Sequence, residues 1–194
     1  MKILWIVNSV LDYLSVNLYG RHANGVWMEA LLSEFKCKSE YDLTVVTTTN
    51  VKKLQKYIDD NVTYYALSGG SVSKYDENSA KNISEWRKII DEEQPDLVQI
   101  WGTEFTHGLC ALRILKERKI PSVIYMQGYL YSIARFYQAG IPYKELKKTI
   151  TLRDVIKRDS ILQQQKKYYR SSKKEAEMQA ASKAIVQFRK QKGE

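Results

Sequence analysis

The hydrophobic positions of the chain fall into short apolar runs separated by amphipathic stretches. These runs have the length of β-strands and are rich in β-branched and aromatic residues. They are KILWIVN (2–8), DLTVVTTT (42–49), NVTYYALS (61–68), PDLVQIWG (95–102) and IPSVIYMQG (120–128). The first run is apolar without alternation, which predicts a strand that is buried on both faces of a sheet.

Between these runs, apolar residues recur at helical spacing. The pattern predicts helices over 26–35, 51–60, 80–94, 107–118, 146–158 and 161–183, loops over 8–25 and 69–79, and a short closing strand at 184–188. Strands that alternate with helices call for a parallel sheet, because parallel neighbours cannot be joined by tight turns. We therefore predict one α/β domain over residues 1–194, with a Rossmann-like, doubly wound, mostly parallel sheet and helices on both of its faces.

The candidate binding residues are those that follow the strands, because ligands of such sheets bind at the carboxyl ends of the strands. They are Asn24 and Gly25 in the first loop, Trp101, Gly102, Thr103 and Glu104 after the run at 95–102, and Gln127 and Gly128 after the run at 120–128. A glycine before a helix lets backbone N–H groups approach an anion. A hydroxyl and an acid can hydrogen-bond sugar hydroxyls, and the acid can act as a base. The aromatic rings between 125 and 143 suit the apolar faces of sugars or a membrane interface.

Each of these features also has a structural interpretation, which the residues alone leave open. Gly25 can simply start a helix. Thr103 or Thr106 can cap the next helix, and Glu104 can complement the dipole of that helix. The aromatic residues can pack on the outer face of the sheet.

Missing motifs exclude several classes of site. The chain contains no GxGxxG and no GxxxxGK[ST] sequence, which argues against a dinucleotide-binding enzyme and excludes a P-loop NTPase. Cys37 and Cys110 lie far apart without a CxxC pair, which excludes a disulfide framework and a cysteine-based zinc site. With two histidines in the chain, we predict no metal site. Of the remaining candidates, we predict that His107 lies in the first turn of a helix and that Trp27 is a core residue.

The net charge of +9 is concentrated at the carboxyl terminus. Residues 1–143 contain equal numbers of acidic and basic residues, so the whole excess lies in 144–194. A basic helical segment at 144–183 attracts phosphates on nucleic acid, anionic lipid or another ligand, and its structural alternative is a solvated helix rich in lysine. No helix-turn-helix, zinc or RNA-binding motif is present, which disfavours nucleic acid as a partner. The amino terminus lacks a signal-peptide cleavage site, so we predict a cytoplasmic protein.

Four segments, taken in their order and spacing, carry a family resemblance. They are KILWIVNS (2–9), GRHANGVW (20–27), PDLVQIWGTE (95–104), and IPSVIYMQGYL (120–130) with its later AGIP (139–142). Together they resemble the N-terminal domain of the retaining glycosyltransferases of family 4, also called group 1, which have the GT-B architecture. The resemblance implies two Rossmann-like domains that face a cleft, of which the N-terminal one binds the acceptor and the C-terminal one binds the nucleotide-sugar donor.

This resemblance sets the expectations for ligands and site residues. The C-terminal donor domain is absent from this chain, so we expect no cofactor in this domain and a nucleotide-sugar donor only in the full-length enzyme. The acceptor is expected to be a sugar or a lipid-linked saccharide, to which the sugar of the donor is transferred with retention and without a metal. Gly25 matches the family's glycine-rich loop, and Trp101, Gly102, Thr103 and Glu104 match the strand end that lines the acceptor pocket. Gln127 stands where many members have a histidine, which puts an acid–base role there in doubt because an amide does not titrate.

Members of this family often use a positive patch on the N-terminal domain to contact anionic membranes. The matching candidates here are Lys147, Lys148, Lys157, Arg158, Lys166, Lys167 and Arg170. The protein would then be peripheral on the inner face of the cell membrane. Two alternatives stay open from the sequence: a stand-alone Rossmann-like module that binds a nucleotide or a sugar, and a nucleic-acid-binding protein that uses the basic segment.

Overall fold

A computed structural model of the chain describes residues 1–23, 27–103, 105–126, 128–157, 160–173 and 176. The strands are Lys2–Ile6 (β1), Asp42–Thr48 (β2), Gln55–Asp59 (β3), Val62–Leu67 (β4), Leu97–Trp101 (β5) and Ser122–Tyr125 (β6). The helices are Asp12–Tyr19 (α1), Met28–Lys36 (α2), Ala80–Glu93 (α3), His107–Arg118 (α4), Leu130–Phe136 (α5), Tyr143–Lys148 (α6), Leu152–Lys157 (α7) and 161–173 (α8), with a 3-10 turn at Val72–Lys74.

Within the described residues, six strands form one sheet in the order β3-β4-β2-β1-β5-β6. Strand β1 lies in the middle and pairs in parallel with β2 on one side and β5 on the other. The pairs β2–β4 and β5–β6 are also parallel, and β3 alone among them runs antiparallel to its neighbour β4. This is the topology of a doubly wound, Rossmann-like α/β sheet, so the predicted fold class is confirmed.

The sequence of strand β1 explains why helices cover both faces of the sheet. Successive side chains of a strand point to opposite faces, so an uninterrupted apolar run needs cover on both. Leu4 and Ile6 pack in one core cluster together with residues of α3 and α4. Ile3 and Trp5 pack in the second cluster, with residues of α1 and α2. The helices therefore lie on both faces of the sheet, and the carboxyl ends of the parallel strands are left for ligands.

The helix predicted over 51–60 is wrong, because β3 occupies Gln55–Asp59. It forms a hairpin with β4 in which Asp59 pairs with Val62, so Asp60 and Asn61 make the two-residue loop. Asp60 adopts the left-handed backbone conformation (φ +53°) that such tight turns favour. Lys56 of this edge strand reaches Glu92 and Glu93 of α3, at 2.7 and 2.9 Å.

Two other predicted boundaries change in the structure. The loop predicted over 8–25 contains α1, whose start is marked by buried Leu11 and Leu14. The helix predicted over 146–158 is divided into α6 and α7 because Thr151 begins a new helix: its hydroxyl accepts from the Asp154 N–H at 3.2 Å, and its own N–H donates to the Asp154 carboxylate at 2.9 Å. Of the last predicted helix, 161–173 is confirmed, while the closing strand at 184–188 lies outside the described residues.

Candidate functional site

The ends of β5 and β6 meet at the carboxyl edge of the sheet, as the sequence predicts. Trp101 is the last residue of β5 and pairs in register with Tyr125, the last residue of β6. The N–H of Gly102 donates to the Tyr125 carbonyl at 2.9 Å. Gly102 has φ +95°, a conformation that favours glycine, so this position requires a residue without a side chain. Thr103 follows directly and is buried.

Some of the other residues proposed from the sequence lie in the described part of the chain and some lie outside it. Gly128 lies beyond the end of β6, where a Cβ atom would meet the Ile133 Cδ1 atom at 2.9 Å. Five candidates lie outside the described residues: Asn24, Gly25, Glu104, Gln127 and Arg158.

Aromatic rings gather around the end of β5. The ring of Trp101 lies edge-on to those of Trp5 and Trp27, both at 5.4 Å between centroids, and 5.1 Å from that of Tyr125. Trp5 is fully buried, whereas Trp27 and Tyr125 are half exposed, at 53% and 50%. The prediction that Trp27 is a core residue is therefore wrong: it lies in the turn before α2 and covers Trp101 from the solvent side.

A cavity of about 470 Å³ opens at the same edge, beside the ends of β4 and β5. Its walls come from the loop after β4, the segment between β5 and α4, the start of α5 and one side of α8. The lining residues are Val72, Ser73, Tyr75, Phe105, Thr106, Leu130, Gln164, Lys167, Tyr168, Arg170 and Ser171. This set combines aromatic and aliphatic surface with hydroxyl, amide and cationic groups, which is the mixture that a polar organic ligand requires.

Hydrogen bonds and close packing hold the loop after β4 against the sheet. The Thr106 hydroxyl donates to the Tyr75 carbonyl at 2.7 Å, and the Thr48 hydroxyl donates to the Gly70 carbonyl at 2.7 Å. A Cβ atom at Gly69 would lie 2.2 Å from two ring carbons of Tyr75, so the loop needs glycine there to let this ring pass. The Tyr75 wall of the cavity is thus fixed from both the strand side and the helix side.

Helix α8 supplies the opposite wall. Gln164, Lys167, Tyr168 and Ser171 follow the spacing i, i+3, i+4, i+7 and so share one face of the helix. The helix is held on α5 by a hydrogen bond of 2.9 Å from the Gln165 amide to the Ala134 carbonyl. Ring contacts add to this packing, between Tyr137 and Tyr168 at 5.0 Å and between Tyr131 and Tyr169 at 6.4 Å.

His107 lies close to this cavity but has a structural role. It is buried in the first turn of α4, as predicted, and its Nε2 atom donates to the Val7 carbonyl at 3.0 Å. Burial lowers the pKa of His107 to about 4, because a buried imidazolium would lose its hydration. The ring is therefore neutral at physiological pH and ties α4 to the end of β1.

The structure separates the basic residues that the sequence grouped as one surface. Lys147, Lys148 and Lys157 are exposed on α6 and α7, where Lys148 pairs with Glu145 at 2.9 Å. Lys166 lines a second cavity of about 470 Å³, formed among α6, α7 and α8 away from the strand ends. The last two described members of the group line the first cavity, namely Lys167 and Arg170.

Sequence reasoning missed most of the cavity wall. Ser73 and Tyr75 belong to the predicted loop at 69–79, which follows a strand that also ends at the carboxyl edge. Their position after such a strand end is the signal from which these two residues could have been predicted as site residues. The contribution of α8 had no such signal, because it depends on how this helix packs back onto α5.

Comparison with known proteins does not assign the chain to a family. No protein-family model matches the chain, and no curated protein matches it significantly. Among solved structures, the chain is similar to UDP-GlcNAc 2-epimerase from Neisseria meningitidis bound to UDP-GlcNAc, with 15% sequence identity and a TM-score of 0.37. The match covers 68% of this chain and 35% of that one, so the chain spans about a third of that protein's length. This likeness is too distant to support an assignment of function.

Proposed function

We propose that this chain is the acceptor-binding domain of a glycosyltransferase that moves a sugar from a nucleotide-sugar to a glycan or a lipid-linked saccharide with retention of configuration. The order of the four family-like segments supports the proposal. The observation that carries it is the cavity of about 470 Å³ at the carboxyl ends of β4 and β5. Acceptor binding at this edge agrees with the general rule for doubly wound sheets.

The chemistry of the cavity suits a saccharide. Sugar hydroxyls need hydrogen-bonding partners, and Ser73, Thr106 and Gln164 lie in its walls. Sugar rings also have apolar faces, which pack on aromatic rings such as those of Tyr75 and Phe105. A wall that offers both kinds of surface can hold a sugar and fix its orientation.

In this proposal, the donor belongs to a second domain that closes over the same edge. Transfer with retention passes through an oxocarbenium-like state, and the charge that develops on the departing phosphate is stabilised by hydrogen-bond donors and dipoles. This domain holds the acceptor in place, so we assign it no cofactor and no catalytic residue.

A second part of the proposal concerns the membrane, where lipid-linked acceptors lie. Helix α7 has no buried residue, and its Leu152, Val155 and Ile156 share one face, with Leu152 76% and Ile156 73% exposed. Exposed apolar residues on a helix that also carries exposed Lys157, close along the chain to exposed Lys147, are typical of a surface that lies in the interface of an anionic bilayer. No helix of the described part has the length and apolar character needed to cross a bilayer.

Ligand selectivity tests the acceptor assignment. The purified chain is titrated by calorimetry with maltose, lactose, N,N′-diacetylchitobiose and a polyprenyl-diphosphate-linked saccharide, and separately with UDP-glucose and GDP-mannose. We expect at least one saccharide to bind and the nucleotide-sugars to bind more weakly than it does. Ser73→Ala should weaken saccharide binding by about three- to tenfold, because one hydrogen bond is lost, whereas Ser39→Ala, at an exposed position outside the cavity, should not.

Two results would contradict this assignment. Failure of every saccharide to bind would remove the acceptor role. Tighter binding of a nucleotide-sugar than of every saccharide would instead favour a stand-alone nucleotide-binding module.

A further inference from the structure

Two of the residues that line the cavity are cations. Lys167 and Arg170 lie one turn apart on α8 and both line the cavity at the carboxyl edge. They are distant in sequence from the opposite wall at Val72 and Ser73, so the packing of α8 is what brings positive charge to the strand ends. Among the described lining residues, none is acidic.

The start of α4 adds to the same electrostatic character. Phe105 and Thr106 line the cavity directly before this 12-residue helix. The Thr106 hydroxyl donates to the Tyr75 carbonyl, and this N-cap residue makes no side-chain hydrogen bond to the first turn of the helix. The first N–H groups of a helix without a side-chain cap carry partial positive charge. The cavity therefore lies between two side-chain cations and the positive end of a helix.

The other lining residues indicate what kind of ligand would carry an anionic group into this cavity. Val72, Tyr75, Phe105 and Leu130 provide aliphatic and aromatic surface, which a bare inorganic ion would not use. Hydroxyl groups of Ser73 and Ser171 add hydrogen bonds. A ligand that matches all of these walls has an organic body and a compact anionic group.

We propose that Lys167 and Arg170 bind a phosphate or diphosphate group of the ligand whose organic part occupies this cavity. The inference rests on the proposed function and deepens it, since it makes the acceptor a phosphorylated one. Arginine and lysine are the residues that bind phosphate, arginine through paired N–H donors and lysine as a point charge. The phosphate can belong to a soluble sugar phosphate or to the headgroup of a lipid-linked saccharide, and the chemistry at the two cations is the same.

Binding of inorganic pyrophosphate at constant ionic strength tests this directly. The double variant Lys167→Gln/Arg170→Gln should weaken binding by about tenfold or more, because two charge-assisted hydrogen bonds are lost. The matched control is Lys166→Gln/Lys173→Gln, which removes the same charge from the same helix at positions outside the cavity. It should change the affinity by less than about twofold. An equal loss in both double variants, or no binding of pyrophosphate to the wild type, would overturn the proposal.

Two further arms identify the source of the phosphate. Glucose 1-phosphate should compete with pyrophosphate if a soluble sugar phosphate is the ligand, and vesicles that carry a polyprenyl diphosphate should compete if a lipid headgroup is. Competition by neither would overturn the proposal. Pyrophosphate binding that depends on Lys167 and Arg170, without binding of any saccharide, would keep the anion site and refute the acceptor role. Saccharide binding without pyrophosphate binding would support the acceptor role and refute the anion site.

Discussion

His107 shows how a residue that looks catalytic can be structural. It lies at the carboxyl edge, but its Nε2 atom is engaged by the Val7 carbonyl, and among the described atoms its buried Nδ1 has no hydrogen-bond partner. A neutral ring with Nε2–H as donor satisfies this geometry. A protonated ring would bury a charge and place a second N–H without an acceptor.

The free energy of unfolding should therefore depend on pH through His107. Its pKa is about 4 in the folded chain against 6.5 for the free side chain, so between these values the unfolded chain binds a proton that the folded chain does not. Stability from this group is present above pH 6.5 and is lost as the pH falls towards 4, by about 3 kcal/mol in total. Urea unfolding between pH 4 and 7 measures it.

A neutral variant supplies the comparison for this prediction. His107→Gln keeps a side-chain N–H donor and cannot titrate, so its stability should fall less than that of the wild type over the same pH range. His22→Gln removes the other histidine, which is exposed and lies 2.9 Å from the Asp12 carboxylate, and so shows how much an exposed histidine and its contact contribute to the pH profile. Parallel pH profiles for the wild type and His107→Gln would refute the account of this residue.

The position of a single residue could be predicted from the sequence where a strand end fixes it, and could not be predicted where tertiary packing fixes it. Trp101, Gly102 and Thr103 follow an apolar run, so their place at the carboxyl edge could be predicted. The exposure of Trp27 could not, because an aromatic residue in a helix turn has the same pattern whether it faces the core or covers another ring.

The exposed apolar face of α7 should contribute to membrane binding. Leu152→Ser/Ile156→Ser should lower the partition of the chain onto vesicles of phosphatidylcholine with about 30% phosphatidylglycerol by about tenfold or more, because two apolar side chains no longer enter the interface. Co-sedimentation with vesicles measures this. Binding to pure phosphatidylcholine should be weaker, since Lys147 and Lys157 then lack anionic partners.

Ile58→Ser is the matched control, since Ile58 is 62% exposed on β3, far along the chain from α7. It should leave vesicle binding unchanged. Equal partition of all three proteins, or binding that is indifferent to phosphatidylglycerol, would refute a membrane role for α7.

Elements were predictable where their periodicity was strong. The apolar runs gave β1, β2, β4, β5 and β6, and the amphipathic pattern gave α3 and α4. Strand β3 was missed because its partly exposed residues at an edge carry little apolar signal, and its stability comes from pairing with β4. The division between α6 and α7 was signalled by Thr151 and Asp154, a helix-start pair within an otherwise helical pattern.

The topology of the fold could be predicted from the alternation of strands and helices, but the cavity could not. The sheet order is restricted by simple rules for parallel strands. The cavity joins residues near 72, 106 and 168, whose proximity depends on the packing of α8 against α5. No local pattern encodes such a contact. The sequence therefore predicts that the site lies at the carboxyl edge of the sheet, but it does not predict which residues line the cavity.

If a saccharide acceptor binds at the carboxyl edge, a nuclear magnetic resonance map of the bound chain will locate it there. The chain, labelled with nitrogen-15, is titrated with the saccharide that binds best in the calorimetric panel. We predict that the largest amide shifts fall on Ser73, Tyr75, Thr106 and Tyr168. Shifts centred on the amino ends of the strands, at Asp42 and Asn61, or on the second cavity, at Ile150 and Leu162, would contradict the account.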